Sequence, residues 1–356
     1  MSIFQKLFSR PRAAVREIAP QLTQWERRSL VPSNVPPGGI PYAVYDQMQR
    51  DAMVQTALTV KKLGILATPW RVVSESAERR AFVEECFARM EGSPTSILMH
   101  AMDAFAKGWS VQELLFEERD GFIWLAGTRA KNPALFGLDV DRFGRLESLR
   151  LELPGEAAVV LPRERFAIYT YQSGYGHPKG VSDLDAAHGH YLQKNALLDA
   201  WRLHLERFGS PTMLGRYQRG LSADEQGSIL SALKNLAKNT AIVFPSEIEI
   251  DAVPSGQAAS AGFMEAIEFH NREIARSILG QTLTTDEGRR VGSLALGKIH
   301  LQVLLLQLQA LRTQLADLVM TEQVIRPLVE MNFGPGEVPK FEFEPVRLEA
   351  FASGAI

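Results

Sequence analysis

The chain has 356 residues, of which 46% are apolar and 22% charged, and its formal net charge is −2. This length and composition predict a globular protein of two modest domains or one elaborate one. The net charge excludes a positive potential over the whole surface that would attract nucleic acid. A single cysteine, Cys86, excludes an intrachain disulfide framework and a cysteine-rich metal site.

The N-terminal part of the chain is predicted to be helical after a flexible start. Residues 1–41 are basic, lack the apolar core of a signal peptide, and end in a proline- and glycine-rich stretch typical of a linker. Beyond them, apolar residues recur at three- and four-residue spacing, which predicts helices. These helices cover 42–67, 76–90 and 93–106, with a strand at 70–73.

The middle of the chain is predicted to be rich in β-strands. Two alternating runs, 111–117 and 122–126, are separated by Asp120-Gly121, a dipeptide that favours a tight turn between antiparallel strands. Further short strands are predicted at 135–140, 146–152, 157–161 and 166–171.

Long helices dominate the C-terminal half. They are predicted at 182–208, 222–238, 263–279 and 294–329, with an extended segment at 212–217 and a strand pair near 241–253. Ser182 is a candidate N-cap of the first helix, and Ser222 with Glu225 forms a capping-box pattern at the start of the second. The predicted class is α+β.

The last of these helices carries a leucine stripe of helical period. It consists of Leu301, Leu304, Leu305, Leu308, Leu311, Leu315 and Leu318. Such a stripe packs either in the core of one chain or against a neighbouring subunit, and the pattern is compatible with both. Apolar runs such as 303–306 are far too short to cross a membrane, so we expect a soluble protein of a reducing cytoplasm.

The glycine-rich stretch 174–180, GYGHPKG, invites comparison with nucleotide-binding loops. A phosphate loop needs lysine and a hydroxyl residue after its second glycine, whereas here Lys179 precedes Gly180 and Val181 follows it. The glycine spacing also differs from the dinucleotide fingerprint. A turn that leads into the helix capped by Ser182 is the favoured interpretation.

The histidines do not form a recognisable metal motif. His188 and His190 are two residues apart on a predicted helix and point to different faces, unlike the i, i+4 pair of a zinc protease. The other histidines near them, His177 and His204, and the more distant His100, His270 and His300 stand singly. The sequence also lacks a G-x-S-x-G nucleophile elbow. We therefore predict no catalytic, cofactor-binding or metal-ligating residue, and no enzyme.

The order of several short motifs resembles tailed-phage portal proteins, most closely the Mu-like branch. The motifs are GWSVQE at 108–113, PRERF at 162–166, GHPKGVS at 176–182, Trp201, ERFGSP at 206–211, ILGQTLTT at 278–285, GSLAL at 292–296, PLV at 327–329 and NFG at 332–334. The resemblance runs from about Tyr42 to Phe343 and rests on the order of the motifs, since each alone is weak.

The resemblance implies a ring, usually of twelve copies, at one vertex of a phage capsid. By position, 42–181 and 240–330 resemble the wing, 182–208 and 222–239 the two stem helices, and 209–221 the clip. Residues 331–356 would be a C-terminal tail or a reduced crown, so the crown is expected to be small or absent. Gly180, Ser182, Gly209, Pro211 and Ser222 mark the stem and clip junctions.

The implied function is to conduct double-stranded DNA during packaging and ejection. The implied partners are other copies of the chain, the DNA, the terminase large subunit, the major capsid protein and head-completion or tail adaptor proteins, with no membrane. The location would be the virion, after assembly in the host bacterial cytoplasm. A duplex must slide through such a channel, which tight phosphate contacts would oppose.

Two segments are candidates for the loop that meets DNA. The first precedes a helix predicted to begin at Phe263 and includes Val253, Pro254, Ser255, Gly256 and Gln257. The competing segment is 281–292, in which Arg289 and Arg290 could contact phosphates. Either could instead be an ordinary surface loop.

Two functions other than that of a portal protein stay open at this point. One is a nucleotide-dependent enzyme that uses the 174–180 turn, and the other is a monomeric DNA-binding helical protein. The turn chemistry argues against the first, and the net charge argues against the second.

Overall fold

The structure is a computed structural model that describes residues 39–141, 143–173, 177–208, 213–217, 220, 222–237, 241–245, 257–281 and 294–345. The chain divides into two compact units, each described here by itself. The first contains residues up to His188 and from Ile274 onward, and the second is Gly189–Glu273.

The first unit begins with helices and one strand. They are α1 (Tyr42–Met48), α2 (Ala52–Leu66), β1 (Trp70–Val73), α3 (Ala77–Arg89), α4 (Pro94–Ala101) and α5 (Ala104–Lys107).

Two of the helices predicted here are broken in the structure. The segment 42–67 divides because the Asp51 carboxylate accepts hydrogen bonds from the Met53 and Val54 amides, which starts a new helix. The segment 93–106 divides at Met102 and Asp103. Periodicity alone misses these breaks, because the apolar residues keep their spacing across them.

Two three-stranded antiparallel sheets follow in the first unit. Their strands are β2 (Trp109–Arg119), β3 (Phe122–Lys131), β4 (Phe136–Val140), β5 (Leu146–Leu151), β6 (Val159–Pro162) and β7 (Phe166–Thr170). The strand orders are β3-β2-β7 and β4-β5-β6. The hairpin predicted at Asp120-Gly121 is confirmed, with both residues in the positive-φ region and Arg119 paired with Phe122.

Two long helices run from one unit into the other. The helix α6 (Asp183–Phe208) begins in the first unit, and α8 (Gln257–Leu279) ends there. Between them lie β8 (Met213–Tyr217), α7 (Ala223–Ala237) and β9 (Ala241–Pro245). The capping box predicted for α7 is confirmed, since the Ser222 amide donates to the Glu225 carboxylate and the Glu225 amide to the Ser222 hydroxyl.

One expectation for this part of the chain needs correction, and another stays a prediction. The strand β9 pairs in parallel with β8, so β8, α7 and β9 form a β-α-β arrangement. The second strand of the pair predicted near 241–253 falls on residues outside the described ones. The helix α8 begins at Gln257, six residues before the predicted Phe263. Ala258, Ala259 and Ala261 favour helix strongly enough to tolerate Gly262.

The predicted helix 294–329 is three helical segments in succession. These are α9 (Leu294–Gln314), a π-helix (Leu315–Ile325) and α10 (Arg326–Phe333). The wider turn of a π-helix shifts the period, so Leu318 leaves the predicted buried stripe and is 51% exposed, while Leu304, Leu308 and Leu315 stay buried. The strand β10 (Lys340–Phe343), which was not predicted from the sequence, then pairs with β1.

The core of the first unit lies where the helices cover the β3-β2-β7 sheet. Its largest fully buried side chains include Trp109, Tyr45, Tyr169, Phe105 and Phe341. Burial raises the pKa of the Cys86 thiol to about 12, so this cysteine is a small apolar core residue. Among the described helices, none combines the length and apolarity needed to cross a membrane.

Candidate functional site

The candidate site is the buried junction at which α6 starts. Here the turn after β7 crosses the end of α5, and the backbones of Gly108 and Gly180 meet. Both glycines have positive φ, +79° and +58°. A Cβ on Gly180 would overlap the carbonyl oxygens of Tyr171 and Gly108, and one on Gly108 would lie 2.6 Å from the Lys179 carbonyl oxygen. Glycine is therefore required at both positions.

Ser182 fixes the first turn of α6 to α5. Its hydroxyl oxygen lies 2.9 Å from the Leu184 amide, which donates to it as predicted for an N-cap. The same hydroxyl donates to the Ala106 carbonyl oxygen at 2.8 Å. One buried side chain thus satisfies groups at the start of one helix and the end of another.

Lys61 is the centre of the junction. Its ammonium donates to the Asp183 carboxylate at 2.6 Å, the Tyr171 hydroxyl at 2.8 Å and the Ile278 carbonyl oxygen at 3.1 Å. An ammonium has three N–H donors, and all three have acceptors here. Lys61 also lies 4.7 Å from the centre of the Phe105 ring, a cation–π contact.

The Asp183 carboxylate is equally well satisfied. The Tyr171 hydroxyl donates to it at 3.0 Å, and Gln172 donates to both Tyr171 and Asp183. The side chains of Lys61 and Asp183 are only 8% and 3% exposed. Burial raises the pKa of Asp183, and the Lys61 ammonium and the Tyr171 hydroxyl act in the opposite direction.

This arrangement suits an anchor better than a reactive centre. Through Asp183 and Ile278, Lys61 holds the start of α6 and the end of α8, the two helices that carry the chain between the units. Because its three N–H groups are all engaged, the ammonium has no donor left for a substrate.

The GWSVQE motif supports the same junction from the β2 side. Trp109 donates its indole N–H to the buried Tyr42 hydroxyl at 2.7 Å. Ser110 donates to the Ala101 carbonyl oxygen and Gln112 to the Ile97 carbonyl oxygen, both at 2.8 Å. Ser110 therefore satisfies a carbonyl group at the end of α4, which a buried helix end requires, and Gln112 adds a bond to the middle of the same helix.

At each edge of the β3-β2-β7 sheet, a side-chain amide bonds to one residue of the edge strand. The two amides belong to the π-helix and to α10. Gln323 accepts from the Ile168 amide and donates to its carbonyl oxygen, each at 2.8 Å, at the β7 edge. Asn332 makes the same pair of bonds with Ile123 at the β3 edge, also at 2.8 Å. Each carboxamide takes the place of one residue of an adjacent strand.

We expect Asn332→Asp to destabilise the protein by about 1–3 kcal/mol, because a carboxylate cannot donate to the Ile123 and Leu328 carbonyl oxygens. Urea unfolding of the variant and the wild type measures the difference. Asn132→Asp is the matched control: the Asn132 side chain accepts from the Ala134 amide, which an aspartate also does. Equal losses in both variants would contradict the role given to Asn332.

The structure describes only some of the residues predicted for the site. It brings Gly180 and Ser182 together at the junction, while Ser222 lies at the start of α7 and Gln257 at the start of α8. Val253, Pro254, Ser255, Gly256, Gly209, Pro211, Arg289 and Arg290 lie outside the described residues. Lys61 and Gln323 were not predicted as functional residues; a lysine at a core position of the α2 apolar face was the available signal for Lys61.

The described part of the GYGHPKG stretch is a hydrogen-bonded turn. The Lys179 amide donates to His177 Nδ1 at 3.2 Å, and the Gly180 amide donates to the His177 carbonyl oxygen. Burial lowers the pKa of both His177 and Lys179. In the part of the chain that the structure describes, no group of three or more His, Cys, Asp or Glu side chains is placed to hold a metal ion.

The fold is similar to that of a chain from a particle neck. One chain from the neck of an empty gene transfer agent particle, computed with C6 symmetry, matches with a TM-score of 0.61 at 14% identity, over 90% of this chain and 88% of that chain. At this identity the similarity shows the fold alone. The class that the fold defines is therefore an α+β fold shared with a chain of a particle neck.

The sequence identifies the family. The family model described as portal protein of Mu bacteriophage matches residues 42–352. The chain belongs to this family of Mu-type portal proteins. It is 23% identical to Mu-like prophage FluMu protein gp29 of Haemophilus influenzae, over 87% of this chain and 61% of that protein. It is 24% identical to the portal protein of Escherichia phage Mu, over 73% of this chain and 51% of that protein. The chain therefore spans only half to three-fifths of these relatives.

Proposed function

We propose that this protein is the portal subunit of a phage or prophage. Twelve copies form a ring at one capsid vertex, and double-stranded DNA passes through the ring during packaging and ejection. The observation that carries this proposal is the family match over residues 42–352. The proposed role is structural, and the terminase large subunit, the major capsid protein and head-completion or tail adaptor proteins are its partners in the virion.

The order of elements supports a division into wing, stem and clip. We propose α6 and α7 as the stem helices, with 209–221 between them as the clip and the remaining elements of 42–181 and 240–330 as the wing. Because β9 pairs with β8, the strand Ala241–Pro245 joins the proposed clip sheet. Because β10 pairs with β1, the strand Lys340–Phe343 is assigned to the proposed wing.

The DNA-contacting loop is proposed to lie before α8 or before α9. The first candidate is Val253 to Gln257, of which Gln257 is the first residue of α8. The competing candidate contains Arg289 and Arg290. Removing phosphate contacts lowers the salt dependence of DNA binding, so the Arg289→Ala/Arg290→Ala variant distinguishes the two candidates.

An exposed apolar face on α9 supports association between copies. Ile299, Val303 and Leu306 are 56%, 44% and 59% exposed and follow one another at helical spacing. The opposite face is buried within the unit, where Leu308 packs against Gly64 of α2. A helix that is apolar on both faces is usually covered on both. In a ring, a second copy would cover the outer face through an unlike surface.

The test is assembly of the full-length protein, measured by native mass spectrometry and class averages of negatively stained particles. We expect rings of about twelve subunits with a central opening, consistent with closed cyclic symmetry. A protein that stayed monomeric and bound nucleotide through residues 174–180 would contradict the proposal and favour an enzyme.

Leu306→Asp is expected to abolish rings at concentrations at which the wild type forms them. Each contact would lose the burial of one leucine, about 1.5–3 kcal/mol. Gln302→Asp, at an exposed polar position of the same helix, is the matched control and should assemble normally. Normal assembly of Leu306→Asp would show that this face is not part of the subunit contact.

A further inference from the structure

Two histidines from different helices face each other within the second unit. His190 lies on α6 and His270 on α8, and their Nδ1 atoms are 3.1 Å apart. The ring centroids are 5.3 Å apart and the ring planes are inclined at 49°. At this separation one Nδ1 carries a hydrogen and donates it to the other. The two rings therefore share one proton between two helices.

The separation of the two nitrogens also suits a metal ion. Transition metals bind imidazole nitrogen at about 2.0–2.1 Å. Two such bonds at 90° place the nitrogens about 2.9 Å apart, and two at the tetrahedral angle place them about 3.3 Å apart. The observed 3.1 Å lies between these values. Binding would need both rings to rotate from the N···N line so that their Nδ1 lone pairs point at a common ion.

The surroundings keep the pair available as ligands. Both side chains are half-buried, which leaves access for an ion and for water ligands. Neutral imidazole is the form that binds metal. Glu273, one turn after His270 on α8, interacts electrostatically with His270, and its negative charge favours a cation here.

Phe269 borders the histidine pair. Its ring centroid lies 6.1 Å from that of His190 and 5.3 Å from that of His270. Phe269 is itself 48% exposed, so the pair lies near the surface of the unit, within reach of an ion.

We propose that His190 and His270 form a two-histidine site for a divalent transition-metal ion, such as Zn²⁺, Ni²⁺ or Cu²⁺. The ion takes the place of the shared proton and binds both Nδ1 atoms, with water completing its coordination. The displaced hydrogen moves to Nε2 of the same ring, so both imidazoles stay neutral and the pair releases no net proton. The ion joins two helices whose ligands are 80 residues apart in the sequence.

Metal titration of the untagged full-length protein tests the site. We expect one Zn²⁺ or Ni²⁺ ion per chain to bind and raise the melting temperature, and EDTA to reverse the effect. The His190→Gln and His270→Gln variants should bind at least tenfold more weakly. His188→Gln, two residues away on the same helix, is the matched control and should bind like the wild type.

Two results would overturn the proposal. One is wild-type affinity in both His190→Gln and His270→Gln, which would place the ion elsewhere. The other comes from Cu²⁺ electron paramagnetic resonance of the wild type, which requires no variant to fold. Coupling to two imidazole nitrogens supports the site, whereas coupling to one or none contradicts it.

Discussion

The Lys61→Ala variant is expected to be less stable than the wild type by about 3–5 kcal/mol, because it leaves the Asp183 carboxylate buried without its cation. The same change removes a donor from the Ile278 carbonyl oxygen at the end of α8. Urea unfolding measures the loss. Hydrogen exchange should show the largest loss of protection at the start of α6 and the end of α8.

Lys62→Ala is the matched control for this prediction. Lys62 is the next residue of α2 and forms an ion pair of the same length, 2.6 Å, with Asp103, whose side chain is 51% exposed. Exposed pairs contribute about 0–1 kcal/mol. The Lys61→Met/Asp183→Asn double variant should lose less stability than the sum of its single variants, because neither partner is left as a lone charge. Equal effects of Lys61→Ala and Lys62→Ala would show that Lys61 is not an anchor.

Gly180→Ala is expected to destabilise the protein by about 3 kcal/mol or more, since the new methyl group would overlap the Tyr171 and Gly108 carbonyl oxygens. Both of these oxygens belong to backbone that cannot move without disturbing the turn into α6. The thermal midpoint measures the effect. A soluble variant with a large drop in midpoint is the expected result.

The Gly121→Ala variant is the matched control, because it measures the cost of backbone strain without steric overlap. Gly121 also has positive φ, +78°, but a Cβ there meets nothing within 4 Å. The cost is therefore that of the left-handed conformation alone, about 1–2 kcal/mol. If Gly180→Ala cost no more than Gly121→Ala, the close approach of Gly180 to Gly108 would not be a constraint.

Local chemistry explains which elements were predictable. The Asp120-Gly121 hairpin and the caps at Ser182 and Ser222 are set by residues within a few positions of one another, and the structure has all three. The α+β class followed from the order of such elements, and the portal family from a resemblance carried by the order of several short motifs. The break at Asp51 was also local, but the continuous apolar spacing obscured it.

Contacts between distant residues explain what was missed. The strand β10 exists because it pairs with β1, about 270 residues earlier in the chain, as in Phe343 opposite Trp70. Lys61 meets Asp183 across 122 positions, and His190 meets His270 across 80. Helical spacing correctly separated His188 from His190 but could not indicate a partner on another helix.

The amides of Gln323 and Asn332 have a consequence for the proposed ring, in which many copies of the chain would meet. Strand edges are indiscriminate, since any extended peptide can bond to an open one. At Ile168 and Ile123 that capacity is used within the chain. At these two positions a neighbouring copy could add a strand to the β3-β2-β7 sheet only by displacing an amide, so contacts between copies there would use side-chain surfaces, which have a defined shape.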